Sequence, residues 1–268
     1  MNALLPERIV CLTEETTETL YLIGEAKRIV GISGFTVRPP QARKEKPRVS
    51  AFTSAKIDKI LALSPDLVLG FSDLQADIAA DLIRAGMTVM VFNHRSVDGI
   101  LGMIRTLGAM VGAPDRAEML AYDCEQRLIR ARSQIRMPLP RVYFEEWDEP
   151  QISAIRWVSE LIGFAGGEDI FPELAKCPDG KGRIIADPLE VVRRRPDIII
   201  GSWCGKKFRP EKVAARMGWE SIPAVRCGAL FEIKSAEILQ PGPAALTDGL
   251  ARLRAIIDSW HAAKGLPQ

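Results

Sequence analysis

This 268-residue sequence carries little that would build a covalent or metallic framework. It has five cysteines, Cys11, Cys124, Cys177, Cys204 and Cys227, an odd number with no C-x-x-C spacing. That excludes a disulfide scaffold and a structural zinc site, and it favours a reducing compartment. Only two histidines occur, His94 and His261, so no His-rich metal centre exists. The formal charge of +2 supplies neither a nucleic-acid footprint nor a polybasic membrane patch. No stretch approaches the roughly 20 apolar residues of a membrane span. Dinucleotide (G-x-G-x-x-G), P-loop and G-x-S-x-G fingerprints are absent as well. The start, MNALLPERIVCL, has no basic region, apolar run or A-x-A site of a secretory signal. The expected location is therefore cytoplasmic, or periplasmic if a signal peptide was removed.

What is present is a sentence written twice. LALSPDLVLGFS begins at Leu61 and VVRRRPDIIIGSW at Val191, with Pro65 and Pro196 about half the chain apart. Each copy is a short helix, a Pro-Asp turn, a continuous apolar strand and a glycine. Strands of that kind belong in a parallel sheet covered on both faces. The starts of the halves match too, RIVCLTEETTETLYLIG from Arg8 and RVYFEEWDEPQISAIRWVSELIG from Arg141. In each, an Arg opens a strand, an acidic turn follows (Glu14-Glu15 or Glu145-Glu146), and an amphipathic helix ends at Ile-Gly, where glycine suits a left-handed C-cap. GMTVMVF and ALFEI supply further strands. Between the halves, apolar or small residues recur at Ala117, Leu120, Cys124, Leu128, Ala131 and Ile135, at helical spacing between Pro114 and Pro138. The expected architecture is α/β: an N-terminal lobe (1–113), an interlobe helix (114–137) and a C-terminal lobe (138–268). Each lobe has a mainly parallel sheet, the helix is one long rigid rod, and the ligand cleft lies between the lobes, facing the carboxyl ends of the strands.

Several stretches resemble the class III solute-binding proteins, the cobalamin and ferric-siderophore receptors of bacterial importers. RIVCLTEETTETLYLIGEAKRIVGIS, RPPQARKEKPRVS, KIDKILALSPDLVLG and AGMTVMVFN resemble the N-lobe of its cobalamin-binding members. WVSELIGFAGGEDIF, PDIIIGSW and QPGPAALTDGL resemble the C-lobe. The resemblance implies a protein that holds a corrinoid or other metal chelate between its lobes and packs aromatic side chains around it. Among the family's branches, the chain looks most similar to the cytoplasmic cobalamin-binding one. The family docks on an ABC permease through one acidic residue per lobe, at positions that fall here near Ala76–Asp77 and Glu237–Leu239.

The candidate ligand-binding residues follow strand ends. They are Thr13, Glu14, Phe35, Arg38, Phe71 and Asn93 in the first half, and Glu145, Glu146, Trp147, Trp203, Cys204 and Lys206 in the second. Thr13 and Glu14 also suit the start of a helix. Arg38 is presented by a loop stiffened by Pro39 and Pro40, and suits an anionic edge. Phe71 and Trp203 offer faces for stacking, Cys204 a soft ligand and Lys206 a positive charge. His94 is a candidate for a single axial ligand. No catalytic or metal residue is assigned and no cofactor is required; bound cobalamin or another chelate is expected as ligand. The expected partner is this small molecule, with an ABC permease possible and no nucleic acid. An enzyme or chaperone on the same fold, using Cys204, Glu145 and Lys206, is the alternative; an interaction module with a closed, dry cleft is a third.

Overall fold

The structure, a computed structural model, describes residues 5–265. Its contacts group the chain into two compact units. One holds the chain to His94, Asp98–Cys124 and Pro241–Pro243; the other holds Arg95–Val97, Glu125–Gln240 and the chain from Ala244.

The first unit has a five-stranded sheet made of β1 (Ile9–Cys11), β2 (Ile29–Ser33), β3 (Arg48–Ser50), β4 (Leu67–Phe71) and β5 (Val89–Phe92). Their order is β3-β2-β1-β4-β5 and every pairing is parallel. All five therefore present their carboxyl ends on one edge. Val10, Leu12, Val49, Ile60, Val68, Ile78 and Leu82 form a buried cluster against the sheet.

In the second unit the strands are β6 (Arg141–Asp148), β7 (Gln151–Ser153), β8 (Glu168–Asp169), β9 (Ile198–Gly201) and β10 (Leu230–Glu232). The order is β10-β9-β6-β7, with β8 also on β6; only β6–β7 is antiparallel. Tyr143, Phe171, Trp203, Phe208 and Trp219 dominate the core here.

The repeated Pro-Asp has a physical reason. Asp66 accepts backbone hydrogen bonds from Glu7 and Arg8 at 2.7 and 3.0 Å, while its own N–H donates to the Arg8 carbonyl at 2.9 Å. Asp197 accepts from the Arg141 N–H at 3.0 Å and donates to the Arg141 carbonyl at 2.8 Å. In both units the aspartate pins the start of its strand to the start of the neighbouring one, which sets the register. The glycines that follow are equally constrained. A Cβ on Gly70 would lie 2.9 Å from Oε1 of Gln75, and a Cβ on Gly201 only 1.9 Å from the Phe208 ring. Gly201→Ala is expected to destabilise the protein by about 1–3 kcal/mol, the usual cost of overpacking, measured by urea denaturation. An unchanged midpoint would mean that Phe208 moves freely.

Two local expectations are corrected. Glu145 and Glu146 do not form a turn: β6 runs through them to Asp148 and reverses into β7. The helix of the second half, Arg156–Ala165, runs through Gly163 and is capped at Gly166, whose φ is +93°. In the first half, the helix Glu14–Leu22 does reach Ile23 and Gly24, at φ +75°. The long helix is Pro114–Ser133, with Ala117, Ala121, Cys124 and Leu128 buried along one face.

Candidate functional site

In the first unit, four strand ends deliver side chains to one edge. β1 leads into Thr13 and the helix Glu14–Leu22, and β2 into Phe35 and Arg38. β4 ends at Phe71, and β5 is followed by Asn93 and His94. Carboxylates at a helix N-terminus are favoured by its dipole, but here they are also out of water. Glu14 and Glu15 are 6% and 1% exposed. Glu15 lies under the segment Pro241–Pro243, where a Cβ on Gly242 would come within 2.6 Å of the Glu15 Cβ.

Burial raises the Glu14 carboxyl to about 8, with the charges of Glu15 and Glu18 adding to it and Arg43 and Arg38 opposing. Burial likewise raises Glu15 to about 7, opposed by the Thr13 hydroxyl, which donates to its Oε1. Arg38 donates to Glu18 at 2.8 Å. One oxygen each of Glu14 and Glu15, and the Thr36 hydroxyl, are buried without a hydrogen-bond partner.

Phe71 is buried and meets the His94 ring edge-on at 5.4 Å. His94 Nε2 lies 2.9 Å from the Pro241 carbonyl. Phe35 and Asn93 are exposed. The residue after Phe71, Ser72, takes φ 66° and ψ 167°, a region used almost only by glycine; such strain gathers at functional edges.

In the second unit, Glu145 sits at the carboxyl end of the parallel part of β6 and is fully buried. It accepts from the Tyr143 hydroxyl at 2.9 Å, from the Trp203 indole at 3.0 Å and from Arg216 twice, at 2.6 and 2.9 Å. Four donors match the four lone-pair directions of a carboxylate. Glu146 goes elsewhere, to a bidentate pair with buried Arg183 at 2.6 and 3.0 Å. Trp147 donates to the Glu149 carbonyl and carries the Lys206 ammonium 4.1 Å above its ring. That ammonium also pairs with Asp148 and lies 5.5 Å from the Trp203 ring. Trp203 is buried and Cys204 exposed. An open cavity of about 330 Å³ lies beside them, lined by Trp203, Lys206, Lys207, Glu232, Lys234 and Ser235.

The second unit thus brings Glu145, Trp147, Trp203 and Lys206 into one cluster. Within it, Glu145 is saturated by donors, so it is not free to act as the base of the enzyme alternative. Sequence reasoning missed the partners that fix these residues: Glu18 for Arg38, Arg183 for Glu146, Arg216 for Glu145 and Gly242 over Glu15.

Two α/β units with mainly parallel sheets are the architecture of the class III solute-binding proteins. The chain belongs to the periplasmic binding protein family, whose model matches residues 9–237. Over 171 residues it is 31% identical to the vitamin B12-binding protein of Vibrio cholerae serotype O1 (strain ATCC 39541), and the match spans 62% of each chain. The solved periplasmic vitamin B12-binding protein of Vibrio cholerae superposes with a TM-score of 0.77 at 24% identity, covering 96% of this chain and 98% of that one. The periplasmic heme-binding protein of Roseiflexus sp. RS-1 in its apo form gives a TM-score of 0.79 at 24% identity, covering 94% and 99%. At these identities the likeness establishes the fold. The family is described as periplasmic, which lends no support to the cytoplasmic location expected above. No helix among the described residues is long and apolar enough to cross a membrane.

Proposed function

We propose that this protein binds a small solute, a metal chelate of the tetrapyrrole kind with a corrinoid as the first choice, at the carboxyl edges of its strands. The observation that carries the reading is the repeat: each Pro-Asp strand delivers an aromatic to its edge, Phe71 beside His94 in one unit and Trp203 beside Trp147 and Lys206 in the other. Flat chelates are held by aromatic faces, which give area at low entropic cost. Relatives named for vitamin B12 and heme support the ligand class.

The test is a spectroscopic titration of the purified protein with cyanocobalamin and with hemin. Binding of either supports the reading; no binding of either at tens of micromolar would overturn it. Trp203→Ala is expected to weaken binding by about 1–3 kcal/mol, the loss of a desolvated aromatic anchor. Unchanged affinity in that variant would remove Trp203 from the site.

Transfer to an ABC permease belongs to this reading. Asp77 is exposed in the first turn of the helix Ala76–Arg84, and Glu237 pairs with Arg252 at 3.3 Å. The compartment is tested separately through the thiols. No disulfide joins any of the five cysteines among the described residues; Cys204 and Cys227 are exposed and Cys11 and Cys124 buried. Burial also pushes the Cys11 thiol up to about 12. Cys204 and Cys227 are expected to react quickly with a thiol reagent in the native protein. All five should titrate after denaturation without reductant; a count of three or one would reveal disulfides and an oxidising compartment.

A further inference from the structure

A narrower inference rests on the solute-binding reading and concerns the acidic start of the helix Glu14–Leu22. Glu14, Glu15 and Glu18 are all buried. Glu18 holds Arg38, and one oxygen of Glu15 holds the Thr13 hydroxyl. The second oxygen of Glu15 and one oxygen of Glu14 are out of water with no donor. Folded proteins rarely leave such acceptors unmatched, because each retains its full desolvation cost. The segment that covers Glu15, Pro241–Pro243, brings no charged group. Arg43 acts on Glu14 only through its charge. Donors on a bound solute would match these oxygens.

We propose that Glu14 and Glu15 are the specificity-determining part of the solute site: they receive hydrogen-bond donors, so the protein takes chelates with an amide-bearing, neutral or cationic rim and rejects chelates rimmed with carboxylates. The corrin periphery carries carboxamides, whereas haem carries two propionates. A carboxamide N–H fills an unmatched acceptor; a propionate in its place sets like charge against like, which is how specificity is built by repulsion.

The protons report which of the two occurs. Glu14 faces Glu15, Glu18, Arg43 and Arg38, and Glu15 faces the Thr13 hydroxyl, Glu18 and the protonated Cys11 thiol. Both carboxyls titrate near neutrality, at about 8 and about 7. An amide donor favours their ionised form, so it expels protons on binding. A propionate favours the protonated form, so it takes protons up.

The experiment is calorimetric titration with cyanocobalamin and with hemin, in two buffers of different ionisation enthalpy, close to pH 7.5. Cyanocobalamin is expected to bind at least ~10-fold tighter than hemin and to release protons. In Glu14→Gln/Glu15→Gln, the release should vanish and the preference should shrink about tenfold. Hemin binding as tightly as cyanocobalamin to the parent protein would overturn the inference. So would a double variant that keeps both the preference and the proton release; either result leaves the solute-binding reading standing. No binding of either probe to the parent protein would overturn that reading and this inference with it. Should the double variant not fold, a pH series on the parent protein decides: the preference must grow between pH 6 and 9, and a flat ratio overturns the inference.

Discussion

Glu14→Gln is expected to be markedly more stable than the parent protein at pH 9, and nearly equal to it at pH 4. Burial raises the folded-state carboxyl from 4.5 to about 8. The folded protein therefore holds a proton that the unfolded chain releases at lower pH. For a group displaced upwards, the favourable contribution is complete below about 4.5 and is lost as the pH rises through about 8. At 1.36 kcal/mol per pKa unit, the ionised group costs at most about 5 kcal/mol at pH 9. Glutamine keeps the shape and removes the charge, so the cost disappears. Glu15→Gln should show the same pattern with a smaller span, because its carboxyl rises only to about 7 and the Thr13 hydroxyl stabilises its ionised form. Urea denaturation at the two pH values measures both variants. An equal difference between variant and parent at pH 4 and pH 9 would show that the carboxyl is not ionising in the folded state. Under the proposed role of Glu14 and Glu15, buried carboxylates that weaken the protein at neutral to alkaline pH are the kind of local conflict retained at binding sites.

The repeat was legible in the sequence because its cause is local. A Pro-Asp turn, a strand of β-branched residues and a glycine lie within a few positions of each other, and the arginine opening each half is the backbone partner of the aspartate. The parallel sheets followed from the continuous apolar runs, and the long helix from its spacing between prolines. Errors arose where a distant residue decided a local question. Glu145-Glu146 looks like a solvated turn until Arg216 and Arg183 neutralise the pair, and only then can a strand continue through it. Those partners stand 71 and 37 residues away, in segments with no motif. Gly163 looked like a helix end because Ile162-Gly163 matches Ile23-Gly24 of the first half; the backbone turns left-handed only at Gly166. The candidate site residues could be placed at strand ends from the sequence, since the carboxyl edge of a parallel sheet follows from topology. The pairing of Arg38 with Glu18, and the fold-over of Gly242 onto Glu15, were not legible, since both depend on loops closing across the chain.

Glu145→Ala is expected to destabilise the protein by about 3–5 kcal/mol, the cost of breaking a buried ion pair from one side. The loss reaches beyond the pair. Glu145 is the common acceptor for Tyr143, Trp203 and Arg216, so its removal leaves a phenol, an indole N–H and a guanidinium without their partner at once. Arg216 also lies 4.6 Å over the Trp219 ring, so its displacement disturbs the core as well as the edge. Gln at this position is no remedy, because its amide would turn donors towards the guanidinium. A double-mutant cycle with Arg216→Met checks the mechanism. The double variant should recover part of the loss, because replacing both charges removes the stranded one; additive losses would mean that the pair is not the source of the stability. The same residue separates positioning from contact. Under the proposed binding role, Glu145, with its oxygens occupied by four protein donors, would act on a solute only by holding the Trp203 indole in place. Solute affinity should therefore fall in Glu145→Ala, and the variant combining it with Trp203→Ala should bind no more weakly than Trp203→Ala alone. A further drop in the combined variant would put Glu145 itself in contact with the solute.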